Sequence, residues 1–360
     1  VRTVVAILSL ILLTAALTSC GRPKPVETAA AKSTGVPIEI RAPLGLPPVI
    51  TPADNPPTAE TIALGRRLYY DPVLSADKTV SCASCHNPKL GFSDGAPHST
   101  GVGGKKGNRN APTVWNSAYS TVQFWDGRAP SLEAQASGPM QNPIEMAHTL
   151  TGVEAVLNAD PSYRASFESA FGPGPVTMDK VTKAIASFER TVISGNSPFD
   201  RFMYASDKKA LSPSAQRGMD IFKDPKKGNC AVCHTIGDKY ALLTDNEFHN
   251  IGVGVNGRGE LTDLGRYSVT KLETDRGAFK TPTLRNIAQS APYMHDGSLK
   301  TLKEVVDFYV GGGSSNPFRD KEIRSLEHLS KQDRADLLAF LESLTGEMPS
   351  DVGPPEEEDK

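Results

Sequence analysis

Cysteine is scarce in this chain of 360 residues: there are five, too few for a disulfide framework at this length. A dominant charge is missing as well. Lys and Arg number 39 against 41 Asp and Glu, a net charge of -2, which excludes a nucleic-acid binder working through bulk positive charge. Beyond the first twenty positions no apolar run is long enough for a spanning helix, so a polytopic membrane protein is excluded. Convincing runs of alternating strand residues are also lacking. Glycine (31) and proline (28) are plentiful, about a sixth of the chain together, and predict long loops. The length suits two domains of ordinary size.

Residues 1–20 read VRTVVAILSLILLTAALTSC, with Arg2 as a short positive region and Val4 to Leu17 as an apolar core. That is the pattern of a secretory signal peptide. Its end, Leu17-Thr18-Ser19-Cys20, resembles a bacterial lipobox, which implies cleavage after residue 19 and lipidation of Cys20. The expected location is the periplasm or cell envelope, with a lipid anchor as the sole membrane attachment. Residues 21–57 carry nine prolines in 37 positions and read, with Cys20, as an anchor and extended tether. Residues 346–360 read as an acidic tail, with Pro354-Pro355-Glu356-Glu357-Glu358-Asp359 expected to be disordered.

The other four cysteines lie in Cys82-Ala83-Ser84-Cys85-His86 and Cys230-Ala231-Val232-Cys233-His234. Cys-x-x-Cys-His is the attachment signal for c-type haem: two thioethers fix the porphyrin edge and the histidine reaches the iron. A single copy would also suit a zinc half-site or a redox dithiol. Two copies in an exported chain point to two covalently bound haem c groups.

The halves repeat. Gly65-x-x-Leu68-Tyr69-x-Asp71-Pro72 precedes the first site, and Gly218-x-x-Ile221-Phe222-x-Asp224-Pro225 precedes the second. After the sites, a constant offset of 170 relates Pro112-Thr113 to Pro282-Thr283, Asn116 to Asn286, Asp126-Gly127 to Asp296-Gly297 and Leu132 to Leu302. The predicted fold is mainly α: two tandem, duplicated cytochrome c-like domains with long loops, at 58–205 and 206–345. Helices are expected over 58–70, 131–137, 151–159, 177–193, 213–222, 302–310 and 331–345. Capping boxes are expected at Thr301/Glu304 and Ser330/Asp333.

The stretches CASCHNPKLGFSDG, RNAPTVWN, FWDGRAPSLEAQASGP, NPIEM, DNEFHNIGVG, GAFKTPTLRN and APYMHDGS together resemble the bacterial dihaem cytochrome c peroxidase family, which includes MauG-type enzymes. The resemblance spans roughly 58–345, with the motifs in family order. It implies that the first haem, on His86, reacts with hydrogen peroxide. The second, on His234, would receive electrons from a small cytochrome c or cupredoxin. Glu145 matches the family's acid–base glutamate, Gln135 its hydrogen-bonding partner, Pro139 a pocket proline and Trp125 the relay between the haems. Where many members carry a displaceable histidine ligand, this sequence has Val102, which implies an open iron; His98, four residues earlier, reads as a solvated loop histidine, with ligation of the iron as its alternative. Fourteen residues after His295, where a methionine ligand is usual, stands Tyr309, the MauG-type pattern; Met294 is its rival as distal ligand. Calcium between the domains is implied by Asn110, Ser290 and Pro292. His249 and His295 sit in motifs that line the second haem. The MauG-type alternative would use high-valent haem to oxidise residues of a partner protein. Monomer and homodimer both remain open.

Overall fold

The computed structural model describes residues 31–356, and these fold as one compact unit. Cys20, the signal peptide and residues 21–30 lie outside the described residues, as do 357–360. Regular structure is helical, and the described residues hold two strands of two residues each, Phe248–His249 and Phe279–Lys280. No helix among them is long and apolar enough to cross a membrane.

Each half is built on one helix crossing. Ala59–Tyr70 packs on Met178–Glu189, and Pro213–Lys223 packs on Lys331–Glu342. The repeated glycines explain how closely these helices approach. A Cβ on Gly65 would lie 1.9 Å from the Ala184 carbonyl oxygen, and one on Gly218 would lie 1.9 Å from that of Asp336. Only glycine allows such an approach. Above the crossings, Tyr69 meets Phe188 edge-on at 5.1 Å, and Phe222 meets Phe340 at 5.0 Å. The duplication extends to backbone geometry at the offset of 170: Asn116 and Asn286 have φ of 61° and 57°, and Gly127 and Gly297 have φ of 66° and 62°.

The seven expected helices are present with shifted ends. Leu132–Gln141 runs one turn longer than its pattern, and Met178–Glu189 stops before 193. Besides the single turns Cys82–Cys85 and Tyr267–Thr270, two longer helices went unforeseen, Pro161–Phe171 and Pro198–Tyr204; each opens on a capped proline, Asp160-Pro161 and Ser197-Pro198. Ser330 and Asp333 form the expected reciprocal box, whereas Glu304 reaches the Lys300 N–H instead of completing a box with Thr301.

Two terminal segments differ from expectation. Residues 31–57 have no regular structure, as their prolines dictate, yet they are not a free tether. Thr34 N–H donates to Ala170 O, buried Asn55 donates to Glu133 and to Lys183 O, and the Gly45 carbonyl accepts from Ala241 N–H and Arg285 Nη2. They form a strap bonded to both halves. The tail also docks, up to Pro354. Val352 is fully buried among Tyr69, Phe92, Trp115 and Phe188, Tyr70 donates its hydroxyl to Val352 O at 2.7 Å, and Arg66 donates to Gly353 O and Pro354 O. One buried apolar side chain and three carbonyls with partners overcome the disorder that this composition predicts.

The halves are joined by ion pairs. Arg109 bridges Asp126 of the first half (2.6 Å) and Asp263 of the second (2.7 Å). Arg285 and Asp200 form a bidentate pair with 1% and 0% side-chain exposure.

Candidate active site

Both CxxCH segments wind into a single tight turn. His86 N–H donates to Cys82 O and His234 N–H to Cys230 O, each at 2.9 Å. The result is two cavities. Cys82, Cys85 and His86 line one of about 410 Å³; Cys230, Cys233 and His234 line another of about 280 Å³.

The residues fit haem. The four cysteines are unpaired. His86 Nδ1 lies 3.2 Å from Phe92 O and His234 Nδ1 lies 2.9 Å from Leu243 O. A carbonyl oxygen only accepts, so each Nδ1 carries the hydrogen and each Nε2 keeps its lone pair for a metal. Burial lowers both imidazole pKa values, which favours the neutral, ligating form. The second cavity is otherwise largely apolar, with Phe222, Val306, Leu337 and Leu341 on its wall.

Gln135, Pro139 and Glu145 line the first cavity, as the motif implied. Pro139 sits inside helix Leu132–Gln141; having no N–H, it leaves the helix one hydrogen bond short near its end. The chain then turns through Asn142, whose Nδ2 donates to Glu145 Oε1 at 2.6 Å. Burial raises the Glu145 carboxyl above its ordinary pKa, against the opposing pull of Asn142 and Arg128. Arg128 also lines this cavity, with its guanidinium carbon 3.5 Å from the centre of the Phe124 ring.

Val102 takes no place on the wall. Its N–H donates to Glu145 O at 2.8 Å and its side chain packs on the first core. It supports the backbone of Glu145. His98 is half-buried and likewise off the wall.

Trp125 stands on the walls of both cavities. Its indole N–H donates to Asn110 O, and its carbonyl accepts from Lys280 N–H at 2.8 Å, so each half holds it. Tyr309 lines the second cavity, and burial pushes its phenol well above the usual range; Met294 lines that cavity too. His249 and His295 are also there. His249 is clamped between Asp245 (2.9 Å) and Asp320 (2.6 Å), and Asp245, the unattached Cys233 thiol and Asp320 together raise its pKa. Cys233, Asp245 and His249 bring three potential metal-ligand atoms within 4.8 Å, but haem attachment takes the sulfur and the two carboxylates satisfy the histidine. His295 stacks on Phe279 at 3.6 Å, with its pKa lowered by burial to about 4. Asn110, Ser290 and Pro292 all line the second cavity, and Asn110 Nδ2 donates to Ala96 O, which leaves its amide oxygen as the donor for a cation.

Residues 59–209 match the family model for di-haem cytochrome c peroxidase, and residues 215–345 match that for cytochrome c. The methylamine utilization protein MauG of Methylorubrum extorquens is 42% identical over 299 residues, covering 82% of this chain and 81% of that protein. The chain belongs to the di-haem cytochrome c peroxidase/MauG family. Cytochrome-c peroxidase IdrP1 of Denitromonas iodatirespirans is 39% identical over 332 residues, covering 84% of this chain and 86% of its own. The crystal structure of a MauG-like protein associated with microbial copper homeostasis superposes with a TM-score of 0.77 at 34% identity, covering 86% of this chain and 97% of that one. Two tandem cytochrome c-type domains, two haem c groups and a peroxidase-type oxidoreductase follow from this membership.

Residues that sequence reasoning missed surround those it found. Asn142 precedes Glu145 by three positions within the quoted motifs. Arg109 and Arg128 stand in the RNAP and WDGR motifs without an assigned task. Glu189 belongs to no quoted motif.

Proposed function

We propose that the protein reduces hydrogen peroxide to water in the His86 cavity, with electrons from a small redox protein entering at the His234 cavity. The balance is one peroxide, two electrons and two protons to two waters. The observation that carries this reading is the sharing of one wall. Glu145, Gln135 and Pro139 line the cavity of His86, and Trp125 borders both cavities. Haem, when bound, supplies the iron that holds peroxide and accepts electrons. The chain supplies the protons. Glu145 takes a proton from one peroxide oxygen and returns it to the departing one, and burial, by raising its pKa above the ordinary carboxylate value, makes it a better proton carrier for both tasks. Asn142 holds the carboxylate in place.

Tyr309 is proposed as distal ligand of the second haem, supported by its place on that cavity wall. An anionic phenolate would favour the oxidised iron. This feature, with valine at position 102, supports a second reading in which the oxidising power is turned on a partner protein, as in the MauG-type alternative. Calcium is proposed at Asn110, Ser290 and Pro292, whose neutral oxygens suit it. Export and lipidation at Cys20 are proposed from the first twenty residues.

Stopped-flow mixing of fully oxidised, never-reduced protein with stoichiometric peroxide tests the site. An immediate spectral change means the first iron is open without prior reduction. Turnover with a reduced small cytochrome supports the peroxidase, whereas peroxide-dependent covalent change in a co-purifying protein supports the second reading. No reaction in either redox state overturns both.

A further inference from the structure

Helix Met178–Glu189 ends at the first cavity, where Ile185 and Glu189, one turn apart, both form part of the wall. Glu189 is 6% exposed, and its Oε2 is buried with no hydrogen-bond partner. A buried acceptor without a partner is costly, more so if charged, and calls for a reason. The reaction derived above does not use it.

The groups that bear on this carboxyl can be named. Arg190 lies 2.8 Å from Glu133, which also accepts from Asn55 of the strap; its Nη1 makes no hydrogen bond, and its charge only partly offsets the burial of Glu189. Tyr69, on the facing helix, donates its hydroxyl to His86 O at 3.1 Å. Cys82, the nearest of the attachment residues in its electrostatic effect, becomes a neutral thioether when haem is attached. Burial, only partly opposed by Arg190 and reinforced by Glu133, pushes the Glu189 carboxyl up to about 8. The other carboxyls on this wall are already bonded, Glu145 by Asn142 and Asp126 by Arg109 and Arg128.

We propose that Glu189 is a redox-linked proton site of the first haem, taking up a proton when that haem is reduced and releasing it on oxidation. The inference rests on the first cavity holding haem. One electron arrives from the donor and one proton arrives from solvent; the sole bond made is the O–H at the carboxyl, and oxidation reverses both. The cause is electrostatic. A carboxylate in a low-dielectric cavity stabilises the more positive, oxidised haem, and reduction removes that stabilisation. Linkage makes the effect reciprocal, so the proton shifts the potential as the electron shifts the pKa. Glu189 thereby keeps the charge of the cavity constant and tunes how readily the first haem accepts its electron.

The test is a spectroelectrochemical titration of the first haem in the holoprotein, from about pH 6 to about pH 10. The wild-type midpoint falls with rising pH, with a slope approaching about 59 mV per tenfold change in proton concentration. Glu189→Gln removes the slope across this window, and Glu189→Asp retains a slope with a displaced inflection. Glu145→Gln leaves the slope in place. A reduced-minus-oxidised infrared spectrum adds a second readout: a protonated-carboxyl band that Glu189→Gln abolishes. A flat wild-type profile, a slope unchanged in Glu189→Gln, or a slope lost in Glu145→Gln instead would overturn the proposal. Absence of a first-haem redox wave would overturn the two-haem reading itself, a distinguishable result.

Discussion

The indole N–H of Trp125 donates to the carbonyl of Asn110 at 2.9 Å, and both residues line both cavities. The bond fixes the ring plane at the boundary between the two sites. It also ties the residue proposed as relay to the one proposed to bind calcium, and Asn110 N–H in turn donates to His295 O across the halves at 2.7 Å. Trp125→Phe keeps the packing but loses this anchor and the readily oxidised indole. The expected outcome is at least a tenfold fall in donor-dependent turnover, about 1.4 kcal/mol in barrier. Stoichiometric reaction of peroxide with the first haem, followed by stopped flow, should be little changed.

Glu145→Gln is isosteric and removes the proton carrier. Peroxide turnover should fall by about 10²–10⁴ while both haem spectra persist. The wild-type rate should decline as pH falls through the raised pKa of this carboxyl, because its protonated form cannot accept the first proton. A pH–rate profile in which the variant still shows that limb would remove Glu145 from the role.

Glu189 makes a separate prediction about stability. Its folded pKa is raised to about 8 from an ordinary 4.5. The unfolded chain therefore gives up this proton first, and stability is lost as pH rises between those two values. Glu189→Gln carries no such penalty. Its melting temperature should exceed that of the wild type at neutral pH, and the gain should vanish at about pH 4.

The Arg285–Asp200 pair has no solvent to fall back on. Arg285 also donates through Nε to Ala241 O at 2.8 Å and through Nη2 to Gly45 O at 2.7 Å. Ala241 is two residues from Leu243, whose carbonyl orients His234. Asp200→Asn leaves a buried cation half-paired and should cost about 3–5 kcal/mol. Thermal melts followed at the haem absorbance should show the second haem losing its native spectrum before the first.

Tyr309→Met replaces an oxygen donor with a thioether. The midpoint potential of the second haem should rise, and that of the first should move far less. An unchanged second-haem potential would assign the distal position to another residue, with Met294 the first to test.

Much of this was legible because the signals were local or repeated. CxxCH fixes two sulfurs and an imidazole within five residues, and Gly65 and Gly218 announce helix crossings by recurring in one motif. Helix Pro161–Phe171 was missed because its weak apolar pattern sits between two loops. The strap was misread because its partners are distant. Nothing near Gly45 tells that its carbonyl meets Arg285, 240 residues away, or that a side chain there would collide with Asp200. Glu189 carried no signal in the sequence, because its isolation is a property of the cavity and not of its neighbours in the chain.

The docked tail also sets an order of assembly. Val352 completes an aromatic cluster around Tyr69, Phe92 and Trp115, with Cys82 and Ala83 packed at its edge. Domains commonly fold as they emerge, the N-terminal one first. Here the N-terminal domain keeps an apolar face open, beside Cys82, until residue 352 is in place.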